Sequence, residues 1–223
     1  TGSATAPAFT ERTGAANPFN GVDVGYRSAP RFADVDGDGD LDAVVGEQDG
    51  NLNYFQNTTP HQPAADFTAQ TGAANPFNAV DVGDRSRPSF ADLDGDGDLD
   101  AVVGEVNGIL RYFENTGSAI APAFTARTGA ANPFNGVDIG STSTPSFADL
   151  DGDGDLDAIV GAPGGGGIAG TLRYFQNTGT ALAPAFTERT GAANPFNGVD
   201  VGQVSTPSFA DLDGDGDLDA VVG

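Results

Sequence analysis

The chain repeats one unit four times along its 223 residues, and this repetition limits the folds that it can adopt. A turn rich in aspartate, written DLDGDGDLD in three of the copies, recurs at intervals of 58, 57 and 62 residues. Its first residues are Asp34, Asp92, Asp149 and Asp211. The spacing predicts a single repeat domain over residues 1–223, with units at about 1–57, 58–115, 116–177 and 178–223, the last one incomplete.

Each unit contains four short segments that are rich in Val, Phe, Tyr and Thr, separated by Gly, Asn and Pro, and this predicts strands. In the second unit they read PSFADLD, LDAVVG, ILRYFENTG and PAFTART. No segment shows a sustained helical period. Four antiparallel strands per repeat are typical of a β-propeller blade, so we expect an all-β fold built of four-stranded antiparallel blades. A β-solenoid is the alternative, although its repeats are usually shorter.

The stretch GAANPFNGVDVG has too many turn formers for a strand, and we expect it to cross from one unit to the next. Its phenylalanine is predicted to pack between neighbouring sheets rather than to contact a ligand. The four copies are Phe19, Phe77, Phe134 and Phe196.

The repeat begins and ends out of phase. Unit four stops after its second strand, whereas Thr1 aligns with the end of a third strand. A ring closed by these ends would lack one strand and leave unpaired edges. We therefore expect a piece of a longer propeller or, as the alternative, an assembly in which a neighbouring molecule fills the gap.

The net charge of −23 favours a halophilic surface, a nucleic-acid mimic or a cation binder. The four turns hold 20 of the 32 acidic residues, and outside the repeated motifs the few remaining acids nearly balance the nine arginines. The charge is therefore concentrated in particular turns, which favours cation binding. Without a basic patch we expect no nucleic-acid partner, and an acidic halophilic coat stays an alternative.

Five aspartates in one turn need a counter-charge, because two carboxylates 4 Å apart repel by about 4 kcal/mol at an effective dielectric of about 20. Ca²⁺ suits them, since it takes about 6–8 oxygen ligands in flexible geometry. Positions 1, 3, 5 and 9 of the turn would offer carboxylates, position 7 its backbone carbonyl, and Gly at position 6 a sharp turn with positive φ. The alternative is that Asp-Gly pairs simply make β-turns.

The predicted ligands number five in each unit, for about four Ca²⁺ ions, one per repeat. They are Asp34, Asp36, Asp38, Asp40 and Asp42; Asp92, Asp94, Asp96, Asp98 and Asp100; Asp149, Asp151, Asp153, Asp155 and Asp157; and Asp211, Asp213, Asp215, Asp217 and Asp219. Zinc is disfavoured because the chain has no Cys and a single His. An EF-hand is excluded because Val stands where its twelfth residue would be Glu.

The DxDGDGxxD turn followed by AVVG, with Phe just ahead of it, resembles the FG-GAP/VCBS repeats of integrin α-chain propellers and of many bacterial secreted proteins. The companion NPFNGVDVG segment is most similar to the bacterial branch, and the resemblance covers essentially the whole chain. It implies a β-propeller, typically of seven blades, with calcium held in the hairpin between a blade's first two strands. In unit one it implies the ligands Asp34, Asp36, Asp38, the Asp40 carbonyl and Asp42.

Three classes of function compete. The first is an extracellular or cell-surface scaffold, stabilised by calcium, that binds a protein partner or assembles with itself through unpaired terminal strands. The second is a lectin, with glycan on an aromatic platform; Tyr54, Tyr112 and Tyr174 recur, but we expect them to pack in the core. An enzyme is disfavoured, because His61 has no repeat partner and no catalytic motif occurs. No apolar run could span a bilayer, so we expect no membrane insertion.

Overall fold

The computed structural model describes residues 11–59, 66–164, 170–202, 205–212 and 215–223. His61, Asp213 and residues 165–169 lie outside these ranges. In the described part of the chain, no helix is long and apolar enough to cross a membrane.

The described residues form four antiparallel sheets, which confirms the all-β prediction. The first sheet contains β1 (Ala29–Ala33), β2 (Asp42–Gly46), β3 (Leu52–Asn57) and β4 (Phe67–Gln70). The second contains β5 (Arg87–Ala91), β6 (Asp100–Gly104), β7 (Leu110–Asn115) and β8 (Phe124–Arg127). The third contains β9 (Thr144–Ala148), β10 (Asp157–Ala162), β11 (Thr171–Asn177) and β12 (Phe186–Arg189), and the fourth β13 (Pro207–Ala210) and β14 (Asp219–Val222).

Each sheet is a meander in which consecutive strands pair, as in a propeller blade. The first two strands form a hairpin whose last pair is Ala33 with Asp42 in the first sheet and Ala91 with Asp100 in the second. The sheets do not coincide with the units predicted from the sequence repeat. Each four-stranded sheet takes its first three strands from one unit and its fourth strand from the next. A short 3-10 helix follows that strand and also stands before β1, at Gly14–Ala16, Gly72–Ala74, Gly129–Ala131 and Gly191–Ala193.

The core lies between neighbouring sheets. Every residue of β2, β6 and β10 is buried, because these second strands are covered on both faces. Val44 and Leu52 of the first sheet pack in one cluster with Val103 and Phe113 of the second. The second and third sheets share an equivalent cluster. The apolar LDAVVG segments therefore stand between layers, as fully buried strands do.

The phenylalanine of the crossing segment, the stretch that leads into a sheet's first strand, packs between two successive sheets as predicted in three of its four copies. Phe77 belongs to the cluster between the first and second sheets, and Phe134 to the cluster between the second and third. Both side chains are only 1% exposed. Phe19 is half-buried against the first sheet alone. The ring thus fills the space between two successive sheets where both are present.

A serine of each crossing segment fixes the distance between sheets. The Ser86 hydroxyl accepts a hydrogen bond from the Glu47 backbone amide at 2.8 Å and donates one to the Asn51 carbonyl at 3.0 Å. A Cβ on Gly46 would lie 2.2 Å from the Ser86 carbonyl oxygen, so only glycine permits this approach. Gly104 meets Ser143 in the same way. The final glycine of each AVVG strand is therefore a contact between successive sheets.

The first strands β1, β5, β9 and β13 face one another at the inner side of the four sheets. They line a cavity of about 520 Å³ whose walls include residues from all four repeats. The inner strands thus bring distant parts of the chain to one place.

Candidate metal centre

The aspartate turn connects the first and second strands of every sheet. It covers residues 34–42, 92–100, 149–157 and 211–219, and its last aspartate is the first residue of the second strand. The turn therefore lies in the hairpin where the family resemblance placed it. Three of the four hairpins are covered by a third strand that runs beside the second.

Backbone amides close each turn on its first carboxylate. The amide of the glycine at position 6 donates to the aspartate at position 1: Gly39 to Asp34 at 3.0 Å, and Gly97 to Asp92 at 3.1 Å. Gly39 and Gly97 have φ of 90° and 95°, and the two later copies have 93° and 96°. The predicted positive φ at position 6 is confirmed, and the loop curls so that alternate side chains point inward.

Carboxylates converge in three of the turns. In each group one carboxylate oxygen from each of three aspartates lies within 4.8 Å of the others. The groups are Asp34, Asp36 and Asp42; Asp92, Asp94 and Asp96; and Asp149, Asp151 and Asp157. The first and third groups use positions 1, 3 and 9, whereas the second uses positions 1, 3 and 5. In each group the three oxygens are close enough for one metal ion to contact them all.

The other predicted ligands lie in the same turns outside these groups. In the first and third turns, the carboxylate at position 5 accepts a hydrogen bond from the backbone amide at position 7. Asp38 accepts it from Asp40 at 2.9 Å, and Asp153 accepts it from Asp155 at 3.0 Å. In the fourth turn Asp219 is half-buried, and its carboxylate accepts the Leu212 amide at 2.9 Å. The whole set of predicted ligands therefore stays a prediction, of which nine residues are brought together in threes.

The aspartate at position 9 is the buried anchor of the turn. Asp42 is fully buried, and its carboxylate accepts the Asn57 amide at 2.7 Å and the Tyr54 hydroxyl at 2.9 Å. Tyr112 donates to Asp100 at 2.8 Å. Burial raises the pKa of Asp100 to about 6, although the hydrogen bonds that its own carboxylate accepts act to lower it.

Sequence reasoning missed the role that three tyrosines have in the aspartate turns. Tyr54, Tyr112 and Tyr174 are buried, which confirms the prediction of core packing over an exposed aromatic platform. Tyr174 donates to Asp157 at 2.9 Å, as its two counterparts do to theirs. A signal was present, since a Tyr follows the last aspartate of the turn on the third strand of each complete sheet.

Some carboxylate oxygens in the turns lack a partner. Asp34 Oδ1, Asp36 Oδ1 and Asp98 Oδ1 are buried and accept no hydrogen bond among the described residues. Burial, and then the charge of Asp38, raises the pKa of Asp36. A buried, unpaired carboxylate oxygen is costly, and a bound cation would supply the missing partner. The chemistry of the donors therefore fits a hard divalent metal ion.

The three turns differ in the side chain that the third strand places beside the aspartate at position 3. In the first turn the Gln56 amide donates to Asp36 at 2.6 Å, and Gln176 does the same for Asp151 in the third. In the second turn Glu114 stands at this position, and its carboxylate pairs with Arg127 at 2.6 Å. The charge of Glu114 contributes to the raised pKa of Asp94, after burial and Asp96. The second turn thus has an ion pair beside Asp94 where the first and third turns have a glutamine beside their aspartate.

The comparison with protein families finds one match that covers most of the chain. The family described as FG-GAP-like repeat matches residues 34–103, 92–160 and 149–222. Each match runs from the first aspartate of one turn to the second strand of the following sheet. No curated protein gives a match.

Proposed function

The chain belongs to the FG-GAP-like repeat family, and on that basis we propose that it is an extracellular, calcium-stabilised scaffold whose sheets are the blades of a β-propeller. The observation that carries this function is the pair of buried, unpartnered carboxylate oxygens of Asp34 and Asp36 inside a closed turn. Such a turn is built around a positive charge.

Calcium suits the turns better than other ions. The donors are carboxylate and carbonyl oxygens, and Ca²⁺ accepts many of them in irregular geometry, whereas Mg²⁺ keeps several waters. Positions 1, 3, 5 and 9 would supply side chains and position 7 its carbonyl, one ion in each of the four turns. Asp42, Asp100 and Asp157 would need little reordering, because tyrosine hydroxyls already hold them.

Bound calcium would act mainly on stability. With dissociation constants of about 10⁻⁴–10⁻³ M, as in extracellular modules, about 5 mM Ca²⁺ stabilises the folded state by about 1–2 kcal/mol per site. The chain contains no cysteine, so disulfides cannot serve this purpose. Affinities in this range favour calcium-rich surroundings outside the cell.

We place binding rather than catalysis on this scaffold. A protein partner or a second copy would dock on it by strand addition. Glycan recognition through the recurring tyrosines is disfavoured by their burial. The clustered aspartates of the turns are assigned to metal rather than to acid–base chemistry.

Thermal unfolding with about 5 mM Ca²⁺ against excess EGTA tests this function. We expect calcium to raise the melting temperature, and Asp94→Asn to remove part of that rise. Asp81→Asn is the matched control, because it removes the same charge from an exposed aspartate outside the turns. An unchanged melting temperature together with no bound calcium by elemental analysis would overturn the assignment, and light scattering on the same samples gives the assembled mass.

A further inference from the structure

Four of the nine arginines lie within or just before β1 and β5, in a chain whose net charge is −23. They are Arg27, Arg31, Arg85 and Arg87, in the GYRSAPRF and GDRSRPSF segments. The third and fourth repeats carry GSTSTPSF and GQVSTPSF there, so hydroxyl side chains mostly replace the arginines. The first two repeats thus differ from the others at one inner surface.

The equivalent positions of the four inner strands meet at the central cavity. Arg31 lines it together with Ser89, Ser146 and Ser208, which occupy the same place in their own sheets. Arg87 lies two residues before Ser89, and its Nη1 is 3.5 Å from Thr206 Oγ1 of the fourth repeat. The inner surface therefore offers two guanidinium groups and several hydroxyls, all of which can donate hydrogen bonds.

The two arginines lack anionic partners in the described part of the chain. Arg87 Nε is buried with no hydrogen-bond partner there, and Arg31 donates to its neighbouring carbonyl at Pro30. Elsewhere Arg127 and Arg173 form ion pairs with glutamates. Burial, and then the charge of Arg87, lowers the pKa of Arg31. Two positive charges thus lie near each other without a negative one.

The backbone two residues before β1 and β5 is also strained. Arg27 and Arg85 have φ of 58° and 61°, in the left-handed region that side chains other than glycine rarely adopt. Thr142, at the same position of the third repeat, does not share this conformation. Strain of this kind concentrates at binding sites; Ala79, which is not in the lining of the cavity, has a similar φ of 64°.

We propose that the central cavity binds a doubly charged oxyanion group, of the sulfate or phosphate kind, between Arg31 and Arg87. A guanidinium group matches such an anion with parallel hydrogen bonds. A dianion balances the two positive charges, and the serine and threonine hydroxyls supply further donors. The cavity, at about 520 Å³, has room for the anion as a free ion or as part of a small molecule.

Calorimetric titration of sulfate into the calcium-loaded full chain, at constant ionic strength in chloride, tests the site. Sulfate is the probe because phosphate would precipitate calcium. The variant Arg31→Ser with Arg87→Thr carries the residues of the third repeat, Ser146 and Thr144, so it keeps a sequence that already folds in this position. We expect saturable binding to the natural chain and a loss of at least about tenfold in the variant.

The matched control is Arg111→Asn with Arg173→Asn, which removes the same charge from the third strands and introduces the residue of the first repeat, Asn53. It should bind sulfate like the natural chain. Phenyl phosphate separates the two sources of the anion: binding tighter than that of sulfate indicates a group carried on a molecule, and equal binding indicates a free ion.

No saturable sulfate binding, or an equal loss in both variants, would overturn the site. The proposal would also be overturned if the natural chain self-associates, sulfate does not reverse this, and the Arg31→Ser/Arg87→Thr variant stays monomeric. That result would assign the arginines to carboxylates of a second copy. Calcium-dependent stability is measured separately, so a failure here leaves the metal assignment intact.

Discussion

Replacing Phe77 with alanine measures how strongly successive sheets are joined. Phe77 is 1% exposed and lies in the cluster formed by the first and second sheets. Removing about 150 Å² of buried aromatic surface at about 25 cal/mol per Å² gives a loss of about 4 kcal/mol, in line with phenylalanine-to-alanine changes in cores. We expect Phe77→Ala to lower the free energy of unfolding by this amount.

Phe19 provides an internal control. It stacks on Phe67 with a centroid distance of 4.4 Å, and Phe77 stacks on Phe124 at the same distance. Among the described residues, Phe19 packs on one sheet, the first, so it buries less surface. We expect Phe19→Ala to cost about half as much, roughly 2 kcal/mol.

Urea unfolding in saturating calcium, followed by far-ultraviolet circular dichroism, gives both values. Equal losses for the two variants, or a loss below about 1 kcal/mol for Phe77→Ala, would refute the view that the ring stabilises contact between sheets. A change in the urea dependence, the m-value, would show that the two sheets unfold separately in the variant.

Two further substitutions test smaller contacts. Tyr112→Phe removes the hydroxyl that donates to buried Asp100 at 2.8 Å, so we expect a loss of about 1–3 kcal/mol in calcium-free protein, measured by urea unfolding; an unchanged midpoint would contradict an anchoring role. Gly104→Ala places a Cβ about 2.2 Å from the Ser143 carbonyl oxygen, and the second and third sheets must separate. We expect a loss of at least about 1–3 kcal/mol, measured by thermal unfolding, and a neutral effect would show that the sheets shift freely.

The strands, the hairpin position of the turns and the place of the crossing phenylalanines could be predicted because each is a short pattern repeated four times. Gly39 and its counterparts indicate a sharp turn, and the apolar run after Asp42 indicates a buried strand. Such features depend on neighbours within a few residues. The sequence therefore contains nearly all the information needed for one hairpin.

The anchoring of the turn could not be predicted from spacing. Tyr54 pairs in register with Val44, two residues after Asp42 on the same face of β2, and its hydroxyl reaches back to that carboxylate. The link depends on the pairing between β2 and β3, which the sequence pattern does not specify. The two groups that use position 9 each have a glutamine of the third strand, Gln56 or Gln176, bonded to the aspartate at position 3, and the second group has Glu114 at that place.

The arginine-lined cavity was also beyond sequence reasoning. Arg31 and Ser208 are far apart in the chain and meet only because four inner strands surround one space. The overall composition does not reveal these two arginines, because the nine arginines nearly balance the acidic residues outside the repeated motifs. Only the arrangement of whole sheets shows that two of these arginines lack a counter-charge in the described residues.

The contact between successive sheets has a consequence for how the protein is made. Each sheet is completed by residues that follow it: Ser86 reaches Glu47 across 39 positions, and Ser143 reaches Glu105 across 38. A nascent chain can therefore finish one sheet once roughly a further repeat has emerged, without waiting for the distant end. For a protein built entirely of strands these are short loops to close, and folding can advance from the amino end at the pace of translation.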